Sequence, residues 1–185
     1  MIDRKQAREI LHENIKNENL RKHHYAVGAA MRGLADYFER DPDRWEIVGL
    51  LHDADYEKTR DTPEEHTLVI SRELRDRDVP EEIIRAVQSH NYQYTGVHPE
   101  SLMEWSLLSC DDLTGLIVAV ALVHPTKLAG VSVDSVLKKF ASSSFAAGAD
   151  RDKILRCEDQ LNLPLEQFIG LVLESMKDQA ETLGL

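Results

Sequence analysis

The sequence is poor in cysteine, and its two cysteines cannot form a disulfide framework. Its 185 residues contain only Cys110 and Cys157, and no Cys-x-x-Cys pair is present for zinc binding or thiol redox chemistry. A small oxidised scaffold held together by several disulfides is therefore excluded. We expect both thiols to be reduced and to have a structural role.

Long apolar runs are also missing. The longest, Leu116 to Val123, has about eight residues, whereas a helix that spans a bilayer needs about 20. The first ten residues, MIDRKQAREI, are charged where a secretory signal would have an apolar segment. We therefore expect a cytoplasmic protein that has no membrane-spanning segment.

Basic residues are scarce relative to acidic ones. Lys and Arg number 22 against 33 Asp and Glu, which gives a formal net charge of −11. Such a chain repels a phosphate backbone unless its basic residues are gathered in one place. Broad binding to long nucleic acids is therefore disfavoured.

Glycine and proline are few, at nine and six residues, and few segments alternate apolar with polar residues. This composition disfavours a β-sandwich and favours helices with short connections. The length, with 42% apolar and 30% charged residues, fits one compact domain. We predict an all-α fold of about eight or nine helices, in a single domain over residues 1–185.

Apolar residues recur at three- and four-residue steps in the first part of the chain, as in amphipathic helices. We predict a first helix over about 3–17 with Asp3 as its N-cap, and a second helix that begins at Asn19. A third helix follows the break at Asp41-Pro42-Asp43 and ends at the pair His52-Asp53.

Later helix starts are predicted from proline and capping residues. Thr62-Pro63-Glu64-Glu65 is typical of an N-cap, a proline at the first position and a capping-box Glu, which places His66 in the opening turn of a fourth helix. A fifth helix starts at Val79-Pro80 and ends at His90. A long buried helix is predicted over about 99–123, and further helices are predicted to start at Ser132 or Asp134, at Asp150 and at Pro164.

Six residues of metal-ligand types fall at predicted helix ends or on inward faces. They are His23, His52, Asp53, His66, His90 and Asp111. A single histidine on an apolar stripe is more often a hydrogen-bonded core residue than a ligand. A buried carboxylate is costly without a compensating partner, however, and no Lys or Arg lies within one helical turn of Asp53 or Asp111. Imidazoles combined with carboxylates suit Fe, Mn, Zn or Co.

His23, the pair His52-Asp53 and the distant Asp111 resemble, in that order, the motif of the HD superfamily of metal-dependent phosphohydrolases. The phrases around the pair and around Asp111-Asp112-Leu113-Thr114-Gly115-Leu116 are similar to the family as well. The resemblance covers a core of about 19–130 and continues into a C-terminal helical extension over 131–185. It implies a helical bundle around a site for one or two divalent metals, from Fe, Mn, Zn, Co or Ni, with Mg as a further choice.

Some members of the superfamily have two further histidines that bind a second metal, and His66 and His90 match their placement. The resemblance thus implies metal ligation by all six residues and catalytic roles for His52, Asp53, His66 and His90. In the alternative interpretation, His66 and His90 only line a pocket around a single metal. The general acid is left open among His66, His90, Asp55 and a metal-bound water.

Two positions are ambiguous by one residue. His24 flanks the apolar stripe of its helix as His23 does, and Asp112 follows Asp111 directly. The motif favours His23 and Asp111. Helical geometry alone does not choose between the neighbours, because both members of each pair lie close to the inward face.

The resemblance implies hydrolysis of a phosphate ester of a small metabolite or nucleotide by metal-activated water. One alternative is an oxygenase, since the HD scaffold also holds mixed-valent di-iron sites. Another is a non-catalytic nucleotide-binding or regulatory module, which forms a homodimer through the apolar segment Leu116 to Val123 unless that segment is simply core. Six basic residues either form a rim for extra phosphates or belong to a solvated face: Lys58, Arg60, Lys127, Lys138, Lys139 and Arg151.

Overall fold

Residues 2–185, the part of the chain that the computed structural model describes, form helices joined by turns and short irregular segments, and no residue in this range forms a strand. The predicted all-α class is confirmed. Nine helices have eight or more residues, in agreement with the predicted number, and three are single turns. In chain order they are α1 (Arg4–Asn14), α2 (Glu18–Tyr37), α3 (Pro42–Leu51), α4 (Tyr56–Thr59), α5 (Leu68–Asp76), α6 (Glu81–His90), α7 (Tyr92–Thr95), α8 (Leu102–Val123), α9 (Val133–Phe140), α10 (Arg151–Gln160), α11 (Leu165–Lys177) and α12 (Ala180–Leu183).

Side-chain caps set several of the helix starts. The Asp3 carboxylate accepts a hydrogen bond from the Gln6 N–H at 2.8 Å, and the Gln6 side chain accepts one from the Asp3 N–H at 2.9 Å. This capping box satisfies two backbone donors that the first turn leaves free. Ser132 and Asp150 cap α9 and α10, and Pro164 immediately precedes α11. These four predicted starts are confirmed.

Two other predicted starts are wrong. The N-cap of α2 is Asn17 and not Asn19, since the Asn17 side chain accepts hydrogen bonds from the first turn of the helix. Residues 63–67 form turns, and α5 begins only at Leu68. Thr67 has a φ of +68°, a left-handed conformation that interrupts any helix begun at Pro63. His66 therefore lies in a turn before α5 and not within its opening turn.

The close approach of α2 and α3 positions one side of the site. A Cβ atom added to Gly49 in α3 would lie 2.7 Å from the Cα atom of Gly28 in α2, so the two backbones are in direct contact. Only glycine permits this approach, because any side chain at Gly49 would overlap the neighbouring backbone. The contact brings the histidines at the start of α2 next to His52 at the end of α3.

The long helix α8 forms the centre of the fold and contacts α2, α6, α10 and α11. By length and composition it could cross a membrane, but 61% of its most apolar window is buried inside the molecule, as expected for a core helix. Half of the predicted apolar segment is buried in this core, including Leu116 and Ile117, whereas Leu122 and Val123 at its end are exposed. The C-terminal helices cover the other faces of α8 and α2.

Candidate metal centre

Five separate stretches of the chain bring the six predicted residues together. They are the second turn of α2, the segment after α3, the turn before α5, the last residue of α6 and the middle of α8. The His23 Nε2 atom lies 2.9 Å from Asp111 Oδ1. On the other side of the cluster, His66 Nε2 and His90 Nε2 each lie 3.0 Å from Asp53 Oδ1.

His52 lies at the centre of the cluster and is completely buried. Its Nδ1 atom is 2.8 Å from the Gly49 carbonyl oxygen, which can only accept a hydrogen bond, so this nitrogen carries a proton. When the ring is neutral, as a metal ligand must be, its Nε2 lone pair faces the carboxylates, at 3.5 Å from Asp111 Oδ1 and 3.8 Å from Asp53 Oδ1. A ring fixed by a backbone carbonyl in this way is typical of metal-binding histidines.

His66 is oriented by a buried carboxylate. Its Nδ1 atom lies 2.9 Å from Asp55 Oδ1, and its Nε2 atom faces Asp53. Asp55 also accepts hydrogen bonds from the Thr67 N–H at 3.1 Å and the Ile70 N–H at 2.9 Å. Because both its oxygens have partners within the protein, Asp55 is poorly suited to the proton-donor role that the sequence left open.

The role of Asp55 in orienting His66 was not predicted from the sequence, because the local sequence gives little indication of it. Lys58, three residues later, offers a local ion-pair partner that would make the carboxylate unremarkable. In the structure the Lys58 ammonium donates instead to Asn14 Oδ1 at 2.5 Å. The Asp55 carboxylate therefore binds His66 and the backbone at the start of α5 instead of Lys58.

Several buried nitrogen and oxygen atoms of the cluster lack a hydrogen-bond partner among residues 2–185. His52 Nε2 and His90 Nδ1 have none, and Asp53 Oδ1 has one only when the Nε2 atom of His66 or His90, each 3.0 Å away, carries a proton. Unpartnered polar atoms in the interior are costly and rare. Three overlapping sets have ligand atoms within 4.8 Å of one another: His23 with His52 and Asp53, His52 with His90 and Asp111, and Asp53 with His66 and His90. The cluster therefore fits a metal site.

The charges of the cluster are strongly coupled. Burial opposes protonation of His52 and His66, but the nearby carboxylates raise the pKa of His52 to about 9 and that of His66 to about 10. Burial alone would raise the pKa of Asp53, yet the charges of His52 and His90 hold it well below its usual range. The carboxylates thus attract positive charge to this point, in the form of protons or of a metal cation.

The structure separates the two ambiguous pairs. His23 contacts Asp111, whereas the buried His24 ring packs 5.0 Å from the His52 ring, and burial lowers its pKa well below the usual range. Asp112 points away from the cluster and accepts a hydrogen bond from the Asp150 N–H at 2.9 Å. Burial and the neighbouring Asp111 raise the pKa of Asp112 to about 6.

A family model for the HD domain matches residues 20–121, more than half of the chain, and all six clustered residues lie within the match. The chain belongs to the HD family. The resemblance stated from the sequence is thus confirmed, and with it a superfamily of hydrolases that depend on divalent metals. Comparison of the HD chain with curated proteins and with solved structures gave no significant match.

Two of the six basic residues proposed for a phosphate-binding rim are engaged away from the metal centre of this HD domain. The Arg151 guanidinium donates to the carbonyl oxygens of Ala146 and Ala149, each at 2.6 Å, and closes the loop before α10. The Lys139 ammonium lies over the Phe145 ring. The aromatic side chain beside the cluster is Tyr56, whose ring centre is 6.0 Å from that of His66.

Proposed function

We propose that the protein is a metal-dependent phosphohydrolase that cleaves a phosphate ester of a small metabolite or nucleotide. One observation carries the proposal: imidazoles and carboxylates from five stretches of the chain meet at one point, where several of their buried ligand atoms lack protein partners. Membership of the HD family agrees with this chemistry.

We infer two adjacent cation positions that share Asp53. His23, His52 and Asp111 would complete the first position, and His66 and His90 the second. A divalent cation bound there would polarise the phosphate oxygens and lower the pKa of a coordinated water molecule to about 7. Because two cations outweigh the charge of two carboxylates, the centre would attract a phosphate ester to an otherwise acidic protein.

The protein's own contribution is to hold these groups in place before the substrate arrives. The Gly49 carbonyl fixes the His52 ring, and Asp55 fixes the His66 ring. In the hydrolysis, the water oxygen gives up a proton and bonds to phosphorus, the ester P–O bond breaks, and the leaving oxygen takes a proton. Preorganised ligands lower the barrier because they need no rearrangement as charge develops on the phosphate.

Metal analysis of protein purified without chelator tests the proposal. We expect close to one or two transition-metal ions per chain, and hydrolysis of at least one phosphomonoester or phosphodiester in a panel assayed with Mn, Co, Ni and Mg. Asp53→Asn should lower both metal content and activity, by at least about 100-fold for activity. Asp61→Asn is the control, since Asp61 is an exposed carboxylate after α4. An Asp53→Asn enzyme with full activity would contradict the assignment.

The other two interpretations give different outcomes in the same assays. A hydrolase keeps its activity without oxygen, whereas an oxygenase consumes oxygen and shows the spectrum of a mixed-valent di-iron centre. Tight nucleotide binding without turnover of any ester would favour a regulatory module. We expect equal aerobic and anaerobic rates, measured as released phosphate.

A further inference from the structure

A cavity of about 520 Å³ lies against the metal centre and meets it at His23. The His23 side chain is 28% exposed, more than Asp53 at 17% or Asp111 at 14%. A larger groove of about 1000 Å³ along α1 includes none of the six clustered residues. The cavity at His23 thus combines direct contact with the cluster and a volume within the range of small-molecule sites.

The walls of this cavity are largely apolar. Besides His23 they include Lys22 of α2, Val118 and Leu122 of α8, and Leu183 and Leu185. Leu122 is 68% exposed, so aliphatic surface of α8 is open to solvent at this wall. One cationic group therefore lies with His23 on the side of α2, and aliphatic surface lies opposite on α8.

Residues 183–185 form the third wall of the cavity, and contacts with the rest of the protein hold them in place. Leu183 is buried, and the Lys127 ammonium donates a hydrogen bond to the Gly184 carbonyl oxygen at 3.0 Å. The Lys22 ammonium also lies close to Gly184, where it would be 2.7 Å from an added Cβ atom. The segment 183–185 is therefore a fixed part of the cavity.

Gly115 provides a gap in the wall formed by α8. It lines the cavity, and a Cβ atom added to it would meet nothing within 4 Å. A side chain at this position would therefore begin in open space. Gly115 thus sets how much of the cavity a bound molecule can use.

We propose that this cavity binds the organic group of the phosphate ester and selects ring-sized apolar or aromatic groups over small polar ones, with Gly115 as the residue that determines specificity. The inference rests on the proposed phosphohydrolase function. The phosphate lies toward His23 and Lys22, where charge attracts it, and the organic group contacts Val118 and Leu122. Burial of an apolar ring against these side chains favours binding by removing apolar surface from water.

Substrate discrimination by two matched pairs of variants tests this assignment. We expect the wild-type protein to hydrolyse 1-naphthyl phosphate with a higher kcat/KM than glycerol 2-phosphate. Gly115→Leu should lower kcat/KM for the naphthyl ester by at least about 10-fold and change that for the glycerol ester less than about twofold. Gly148→Leu is its control, because Gly148 also has open space around it and does not line the cavity.

Leu122→Ser should likewise raise KM for the naphthyl ester, because it replaces aliphatic wall with a hydroxyl. Val123→Ser is the matched control, since Val123 is the next residue, is 63% exposed and does not line the cavity. Thermal unfolding of all four variants should stay at or near the wild-type temperature. A wild-type preference for the glycerol ester would overturn the inference.

Fluorescence titration with 1-naphthol gives a second readout that does not require turnover. The protein as purified should bind 1-naphthol, and Gly115→Leu should raise the Kd by at least about 10-fold while Gly148→Leu leaves it unchanged. If esters are hydrolysed but Gly115→Leu changes neither discrimination nor naphthol binding, this inference is wrong and the phosphohydrolase proposal stands. If no ester is hydrolysed with any metal, the proposed function is wrong, and the titration alone decides whether the cavity binds rings.

Discussion

At the level of single residues, Asp55 connects the metal centre to the backbone around it. Its two oxygens contact the His66 ring, the Thr67 N–H and the Ile70 N–H. The Asp55 side chain, which precedes α4, thus acts as an N-cap for α5, because Ile70 is in the first turn of that helix and Thr67 precedes it. The orientation of His66 and the start of α5 depend on the same carboxylate.

Replacement of Asp55 by asparagine should weaken metal binding without removing a ligand. The amide offers only one acceptor oxygen, so it cannot accept from both N–H groups and orient His66 at once. We expect metal affinity to fall about 10- to 100-fold, as for other residues that orient a ligand, with the loss greater for the second of two ions. Metal titration measures it, and an unchanged affinity for both ions would show that His66 is oriented by other means.

The adjacent acids Asp111 and Asp112 allow a matched comparison. Asp111→Asn should lose bound metal and activity, because its Oδ1 atom lies 2.9 Å from His23 Nε2 inside the cluster. Asp112→Asn should keep both, since Asp112 binds the Asp150 N–H at the start of α10. Metal content and initial rates of the two purified variants decide the matter, and the reverse pattern would assign the site to Asp112.

The kinds of residue at the centre could be predicted from the sequence, but the choice between neighbours could not. His23 and His24 differ by about 100° around the helix axis, and both flank the inward face. The close contact between α2 and α3 decides that His24 packs against His52 while His23 reaches Asp111. The contact between α2 and α3 is a tertiary interaction, and the local sequence of α2 does not predict it.

At the level of helices, most predicted starts coincide with a local cap, and the wrong start of α2 lies two residues from such a cap, Asn17, whose backbone a distant side chain also holds. Asp3 is bound within its own first turn. At α2, by contrast, the Glu57 carboxylate accepts hydrogen bonds from the Lys16 and Asn17 N–H groups at 3.0 and 2.7 Å, which sets the chain direction before the helix. A carboxylate about forty residues away has no signature in the local sequence.

The contact between Gly28 and Gly49 predicts a specific cost for a single methyl group. Gly49→Ala should lower the free energy of unfolding by about 1–3 kcal/mol, because overpacking forces two backbones apart. Gly170→Ala in α11 is the control: its Cβ would lie 3.8 Å from Val133 Cγ2, an ordinary contact, so stability should stay equal or rise by about 0.5–1 kcal/mol. Urea unfolding measures both, and equal stability of the two variants would contradict the close packing.

At the level of the whole molecule, a bound cation would join five stretches of the chain that the fold alone holds together. Anything that binds only the folded state stabilises it by mass action, by about 2.7 kcal/mol at a free concentration of 100 times Kd. For a protein of this size we expect chelator to lower the Tm by roughly 5–10 °C relative to metal-saturated protein. Differential scanning fluorimetry with and without EDTA measures this change, and the Asp53→Asn variant should show little of it.

The all-α class followed from composition and periodicity, and the family from the order of a few ligands. The cavity beside His23 could not be foreseen in the same way, because its walls come from α2, α8 and residues 183–185, which are remote in sequence. Its apolar character depends on which face of each helix the packing leaves uncovered. Periodicity identifies the buried face of a helix, but it does not show what the other face of that helix contacts.

The position of residues 183–185 has a practical consequence for work with the protein. These residues line the cavity that adjoins His23, and Leu185 is one of its walls. An affinity tag attached beyond Leu185 would therefore start at a wall of that cavity and obstruct ligands. Assays intended to find a substrate should use protein from which any such tag has been cleaved.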